Sequence, residues 1–346
     1  MGLQKAAEKL LFLYICNMVK GNVKYLTDKV MVDVLMPAYN HGSYIRQAIE
    51  SFLAQENIKA RLLIGDDASS DETSSIAQEY SSNFPDRILL FSHKENMGLI
   101  KNYKFLIEHS SAPYLAILES DDYWTDPLKL FKQVSYMEEH KNCGLVFASG
   151  VYVDEAGSAL GVKQEKEGEM TGCFNKVLMA NPVLAVTACF RRSAFENSCC
   201  MDDFVENNFV TFDYPVWLAL AACSDFYVMG DIVAAYRIGD ASISNNASYR
   251  KRENFIYGID RIIEYTVEKF GYSGNLVTLR NERTVKKMML ALAFNNLERY
   301  SYFCRQIVPA GKLKWWILRY LPFVFKFKKR KLVGSGAVSA IAIKKR

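Results

Sequence analysis

The chain is predicted to be an α/β protein, with a mixed, mainly parallel sheet flanked by helices and a C-terminal helical extension. Three observations lead there. Short apolar runs alternate with stretches of helical spacing between Val30 and Leu118, the order that builds a parallel sheet with helices on both faces. Three of those runs end in polar clusters, and in open parallel sheets ligands gather beyond the carboxyl ends of the strands. After Gly150 the alternation weakens, and from Arg250 to Tyr300 the spacing is helical.

Taken in order, Val30 to Met36 is a β-branched and apolar run that reads as a strand stopped by Pro37. Tyr44 to Leu53 has helical spacing. Arg61 to Ile64 reads as a second strand running into Gly65, Asp66 and Asp67, and Glu72 to Tyr80 as a helix capped by Ser70 or Asp71. Ile88 to Phe91 is a third strand, Leu99 to Glu108 a helix, and Tyr114 to Leu118 a fourth strand entering Glu119-Ser-Asp-Asp122. Further on, Val183 to Phe190 reads as a strand, Phe212 to Ala222 as a helix and Ile232 to Arg237 as a last strand. Residues 154–172 are polar and Gly-rich, and no repeat at a solenoid period is present. Before Val30, one amphipathic stretch runs from Leu10 to Val19.

The 346 residues are 50% hydrophobic and 23% charged, which suits a large buried core and excludes a disordered chain. The net charge of +5 is unevenly placed. Lys312 to Arg346 holds eleven basic residues and no acid, which leaves 32 bases against 38 acids, or −6, on the preceding body. A nucleic-acid binder with basic residues spread over a folded face is excluded on that distribution. Eight cysteines show no C-x-x-C pair and no histidine at ligand spacing, so neither a zinc site nor a disulfide framework is expected. The four histidines, at 41, 93, 109 and 140, are too scattered for a triad.

Asp121 and Asp122 follow the apolar run Tyr114-Leu-Ala-Ile-Leu118. Adjacent ionised carboxylates repel unless they share a cation, which favours Mg²⁺ or Mn²⁺ with oxygen ligands. The same pair also fits a turn in which Asp122 caps and Asp121 is solvated, and Asn40 and Asp71 also fit turns. No G-x-G-x-x-G follows a strand and no P-loop sequence occurs, so a bound diphosphate would find its counter-charge in the metal.

Four segments in succession carry a resemblance: Val34-Leu-Met-Pro-Ala-Tyr-Asn40, Ile64-Gly-Asp-Asp-Ala-Ser-Ser-Asp71, Asn96-Met-Gly98 and Leu118-Glu-Ser-Asp-Asp122. Their order and spacing resemble the motifs of family 2 glycosyltransferases with the GT-A fold. Asp213-Tyr-Pro-Val-Trp-Leu218 is similar to that family's catalytic-base segment, and Tyr236-Arg-Ile-Gly-Asp-Ala-Ser242 to its Tyr-Arg-x-His-x-x-Ser stretch.

The resemblance implies inverting, non-processive transfer of a sugar from a nucleotide-diphosphate donor, a UDP-sugar, to a hydroxyl of a glycan or lipid-linked acceptor in bacterial surface-polysaccharide synthesis. Carried over by position, Pro37, Tyr39 and Asn40 line the nucleoside pocket, with Asp66 beside Asp67 and Asp67 accepting a hydrogen bond from the base. Asn96 and Gly98 belong to the donor side; Lys101 and Asn102, which follow them, are read from the sequence either as reaching the diphosphate or sugar or as residues of a helix surface. Asp121 contacts ribose or metal, Asp122 ligates Mn²⁺ or Mg²⁺, and Asp213 is the general base. Three positions depart from the pattern: Glu119 stands where many relatives have Asp, Phe212 where an acid is common, and Gly239 where several carry His. A sugar-phosphate nucleotidyltransferase and an inactive nucleotide-binding scaffold are the alternatives; the former calls for a Gly-rich loop that Pro37-Ala-Tyr-Asn40 does not supply.

The expected organisation is an N-terminal helical extension over 1–30, a transferase domain over 31–245, a helical extension over 246–311 and a basic aromatic tail over 312–346. Within the transferase domain, 31–150 is the nucleotide-binding half and 151–245 the acceptor half. Because Met31 directly precedes the first strand, residues 1–30 are read as an added helix or a misassigned start. In the tail, Leu313 to Phe325 is apolar and aromatic, too short to span a bilayer, and precedes Lys326-Phe-Lys-Lys-Arg-Lys331. Aromatic residues beside a basic cluster suit an anionic membrane surface; the other reading is a helix packed on the body. With no secretory signal and no spanning run, the expected location is cytoplasmic, peripheral at the inner face of the cell membrane.

Overall fold

The computed structural model describes residues 29, 31–239, 248–309 and 313–320. The amphipathic stretch at Leu10–Val19, the segment from Asp240 to Ala247 and the basic cluster at Lys326–Lys331 lie outside the described residues. Two compact units are distinguished: the sheet with its helices and Arg261–Gly271, and a helical unit built from residues 248–260 and from Tyr272 onward.

In the first unit, the strands β1 (Val32–Ala38), β2 (Ala60–Asp66), β3 (Ile88–Ser92) and β4 (Tyr114–Ile117) alternate with helices at Ile45–Leu53, Thr73–Asn83 and Leu99–Glu108. All pair in parallel in the order β3-β2-β1-β4. The chain therefore steps outward from β1 through β2 to β3, then returns to the other side of β1. That reversal opens a crevice at the carboxyl ends of β1 and β4, the place where such sheets bind ligands.

Beyond β4 the sheet turns mixed. A short β5 (Tyr123–Trp124) precedes the helix Lys129–Glu139, followed by β6 (Cys143–Val153), β7 (Ala159–Lys163), β8 (Gly168–Met170), β9 (Cys189–Arg191) and β10 (Asp225–Arg237). Strand β9 runs antiparallel between β4 and β6, β6 pairs in parallel with β10, and β5 pairs antiparallel with the end of β10. Strands β7 and β8 attach to β6 and β10. One face of the sheet buries Val32, Val34 and Met36 from β1 with Leu62 and Ile64 from β2 and Phe52 from the first helix.

Two expectations need correction. Pro37 does not stop β1, which continues to Ala38. The Leu35 carbonyl accepts the N–H of Leu118, whereas two residues on the Pro37 carbonyl accepts the Ser120 hydroxyl. At Pro37 the β1 edge therefore faces chain beyond the end of β4, where no ladder N–H is required. Val183 to Phe190 is not a strand: a 3₁₀ turn spans Ala185–Thr187, and only Cys189–Arg191 pairs. Its carbonyls are taken by side chains from afar, Val186 by the Trp124 indole at 2.8 Å and Thr187 by Gln133 at 2.7 Å. The polar, Gly-rich residues 154–172 carry β7 and β8.

The helical unit holds the helices Leu276–Ala293 and Leu297–Gln306, with residues 249–260 of the helix Tyr249–Phe270. Its core joins Met288, Ala291, Tyr300, Phe303, Cys304, Ile307 and Trp315. Asn281 ties it together, donating to the Val308 carbonyl at 2.8 Å and accepting the Val308 N–H at 2.9 Å.

Lys129 is buried, its Nζ donating to Gln133 Oε1 at 3.0 Å and lying 4.3 Å from the Trp124 ring centroid. Burial pushes its ammonium down to about 7. Since the unfolded chain keeps that proton up to about pH 10.4, it binds more protons than the native state between those values. Stability then rises with pH across this window, by on the order of a few kcal/mol. Urea unfolding at several pH values should show that rise in the wild type and a flattened one in Lys129→Met; equal slopes contradict it.

Candidate active site at the strand ends

The loops leaving β1 and β2 interlock. Asn40, with φ of 54°, gives its N–H to Ser69 Oγ and accepts the Ser70 N–H at 2.8 Å. Ala68, with φ of 59°, is the matching left-handed residue on the β2 side. Such backbone costs about 1–3 kcal/mol per residue and persists where neighbours enforce it. Asp71 acts structurally, accepting N–H groups from Thr73 at 3.0 Å and Gly42 at 2.9 Å. Asp71, one of the two residues expected to cap this helix, thus serves its start from one position before the observed N-cap, Glu72.

Asp66 and Asp67 are both buried. Asp66 accepts the Ser69 N–H at 3.3 Å. Asp67 accepts the N–H of Met97 at 2.8 Å through one oxygen and that of Gly98 at 2.9 Å through the other, while Asn96 donates to its carbonyl. The carboxylate expected to meet a base therefore also holds the Asn96–Gly98 turn, where Gly98 has φ of 85° and starts the next helix. Asn102 in that helix is buried and donates to the Gly65 carbonyl at 2.7 Å. A Cβ on Gly65 would fall 2.1 Å from Asn102 Oδ1, so this glycine admits the helix, and Asn102 is a packing residue, not a donor-side ligand. Lys101 is exposed and lines a shallow depression with Met97, Lys104 and Phe105. Tyr39 stands at the rim, 47% exposed.

The turn after β4 gathers three carboxylates. One oxygen from each of Glu119, Asp121 and Asp122 lies within 4.8 Å of the others. Ser120 points the other way, donating to the Pro37 carbonyl at 3.1 Å and meeting His41 Nδ1 at 2.7 Å. Asp122 is buried and accepts the Arg237 N–H at 2.7 Å on Oδ1, while its Oδ2 is buried without a protein partner.

Arg237 was not singled out beforehand, yet it braces this turn. Its guanidinium donates to the carbonyls of Asp121, Asp154 and Glu155 and to Gln47 Oε1, all between 2.8 and 3.0 Å. It also lies over Tyr44, 4.5 Å from the ring centroid. The Tyr-Arg pair at the end of the last predicted strand was its only sequence signal.

Asp213 opens the helix Asp213–Cys223, and its Oδ1 accepts the Thr211 hydroxyl. Phe212 is buried and stacks on Tyr103 with centroids 4.0 Å apart; the Tyr103 hydroxyl donates to Glu119 Oε1 at 3.3 Å. Phe212 therefore anchors the Asp213 helix to the carboxylate turn. Burial, then the charges of Asp121 and Asp213, push Glu119 up to about 8. Burial, then Asp121 and Glu119, raise Asp122 well above the carboxylate range, and burial raises Asp213. The structure thus brings Asp121, Asp122 and Glu119 together with Asp213 in electrostatic reach, and separately joins Asn40 to the β2 loop and Asp67 to the Asn96–Gly98 turn.

An orphaned buried oxygen among repelling carboxylates fits a hard divalent cation. The seven described cysteines are unpaired, and no helix among the described residues is long and apolar enough to cross a membrane.

Residues 33–197 match the family described as Glycosyl transferase family 2. An uncharacterized protein of Mycobacterium tuberculosis is 38% identical over 34% of this chain; the match spans about a third (34%) of that protein's length. The Escherichia coli UDP-Glc:alpha-D-GlcNAc-diphosphoundecaprenol beta-1,3-glucosyltransferase WfgD is 28% identical over 63% of this chain and 81% of its own. Among solved structures, Staphylococcus aureus TarS in complex with UDP superimposes with a TM-score of 0.60 at 15% identity, covering 91% of this chain and 94% of that one. The shared fold is GT-A.

Because Glu119 and Asp122 have folded-state pKa values above their unfolded ones, the metal-free native state holds more protons and its stability falls as pH rises, for Glu119 from about 4.5 to about 8. A cation on the ionised carboxylates offsets that loss. Mg²⁺ should therefore raise Tm by about 3 °C or more at pH 8.5 and have little effect at pH 5.5. Calorimetry showing equal shifts at both pH values, or an undiminished shift in Asp122→Asn, contradicts the metal site.

Proposed function

The chain belongs to the family 2 glycosyltransferases through residues 33–197, and on that premise we propose that it moves a sugar from a nucleotide-diphosphate donor to an acceptor hydroxyl with inversion. The observation that carries this reading is the buried, unpartnered Asp122 Oδ2 beside Glu119 and Asp121 at the crevice between β1 and β4. The nucleotide lies along the β1 and β2 loops. Tyr39 and Asn40, both exposed, and the buried Pro37 border the nucleoside, Asp66 and Asp67 face the base, and Asn96, Gly98 and Lys101 border the remainder of the donor.

Asp121 and Asp122, joined by Glu119, hold Mn²⁺ or Mg²⁺. When bound, the cation offsets the charge that develops on the leaving diphosphate. Arg237 keeps the backbone of that turn in place, and its donors are occupied by carbonyls and by Gln47, so it orients ligands and does not itself contact the donor.

Asp213 is the general base. As the acceptor oxygen attacks the anomeric carbon from the face opposite the diphosphate, Asp213 takes the hydroxyl proton, the bond from the anomeric carbon to the diphosphate oxygen breaks, and the nucleoside diphosphate departs. Burial that raises the Asp213 pKa makes its carboxylate a stronger base than a solvated aspartate. The Thr211 hydroxyl donates to one of its oxygens. A UDP-sugar donor and a glycan or lipid-linked acceptor at the cytoplasmic face of a membrane fit this reading; the relation to WfgD supports both. We assign the basic tail to the anionic surface of that membrane.

Asp213→Asn should leave UDP binding unchanged while transfer from UDP-sugars falls by roughly 10²- to 10⁴-fold. Wild-type turnover in that variant, or equal loss of UDP affinity, removes Asp213 from the base role.

A further inference from the structure

The helix over residues 313–320 is apolar on two faces. On one side Trp315, 1% exposed, enters the core of the helical unit, and Leu318 packs against it. On the other, Leu313, Trp316, Ile317 and Tyr320 are exposed. Their spacing, i, i+3, i+4 and i+7, is that of a single continuous stripe. Trp316 and Tyr320 stack along it, with centroids 6.1 Å apart and planes 16° from parallel.

The stripe cannot be turned inward cheaply. Arg319 donates to the carbonyls of Arg305 at 3.1 Å and Ile307 at 2.6 Å, and Lys314 pairs with Glu282 at 2.6 Å. Nor is the exposure scattered, because ten of the fifteen exposed large apolar side chains among the described residues lie between Leu276 and Tyr320.

The charge that the sequence carries beside and after the stripe selects its occupant. From Lys312 to Arg346 there are eleven bases and no acid, and five of the bases fall in Lys326–Lys331. A second copy of the chain would bring the same positive charge to the contact, and a nucleic acid offers no apolar layer for Leu313 and Ile317. A bilayer with anionic headgroups supplies both a negative surface and an apolar layer, with the boundary between them suited to Trp and Tyr.

We propose that the exposed stripe of helix 313–320 docks on an anionic membrane surface, with Trp316 and Tyr320 at the headgroup level and Leu313 and Ile317 directed toward the acyl chains. This rests on the assignment of the tail to a membrane and names the folded surface that makes the contact.

The full chain carries its own probe. Of its four tryptophans, Trp124, Trp217 and Trp315 are buried and only Trp316 is exposed. Phosphatidylcholine vesicles with about 30% phosphatidylglycerol should cosediment the protein and shift its emission to the blue, whereas vesicles of phosphatidylcholine alone should do neither. The double variant Trp316→Ser, Ile317→Ser, whose Tm should match the wild type, should lose affinity about tenfold or more. If it binds as well as the wild type, the tail charge alone makes the contact and the stripe is overturned while the tail assignment stands. If the wild type does not bind anionic vesicles, both are overturned. Ultracentrifugation showing a wild-type dimer that the double variant abolishes replaces the membrane by a second copy. Transfer to a soluble acceptor is measured separately, so failure here leaves the proposed chemistry standing.

Discussion

Three carboxylates forced into one short turn are the constraint on which the rest of the site depends. Burial makes charge costly here, and the charge of Asp121 further raises the proton affinity of Glu119 and Asp122, with Glu119 adding to the rise at Asp122. Left alone, such a turn would open toward water. Arg237 prevents this chiefly by geometry: its N–H binds Asp122 Oδ1, while its guanidinium holds the Asp121 carbonyl and ties the turn to residues 47, 154 and 155. Shape and charge are thereby separated: an arginine fixes the backbone, and the carboxylate cluster is of the kind that could coordinate a divalent cation.

The same economy runs through the sheet. Since β4 returns to β1 after β2 and β3 are laid down, the carboxylate turn and the Pro37–Asn40 loop leave adjacent strands. The Ser120 hydroxyl on the Pro37 carbonyl joins them where proline has no N–H to offer. On the far side, the Phe212–Tyr103 stack brings the Asp213 helix against Glu119. A site assembled from residues 37 to 237 is thus positioned by a few short-range contacts between elements distant in sequence.

That distance explains what could be read beforehand. The three strand-end clusters at Asn40, Asp66–Asp67 and Asp121–Asp122 were legible because each sets polar residues after an apolar run, a local signal, and the helix Leu99–Glu108 was placed to the residue. The roles of Arg237, Asn102 and Phe212 were not, because their partners lie 37 to 190 residues away or across a ring stack. Residues 183–190 misled for the same reason: their β-like composition is overruled by Trp124 and Gln133, which claim the carbonyls a ladder would have used. The uneven charge was visible from composition alone, but only the folded helix at 313–320 separates Trp315, which builds a core, from Trp316, which does not.

The central claim is that the Glu119–Asp122 turn binds a nucleoside diphosphate through a shared divalent cation. Calorimetric titration of UDP into the protein with and without Mn²⁺, in the wild type and in Asp122→Ala, tests it most directly. The account predicts that Mn²⁺ tightens UDP binding at least about tenfold in the wild type, about 1.4 kcal/mol, and leaves Asp122→Ala unchanged. Equal affinity with and without the metal in the wild type would contradict it.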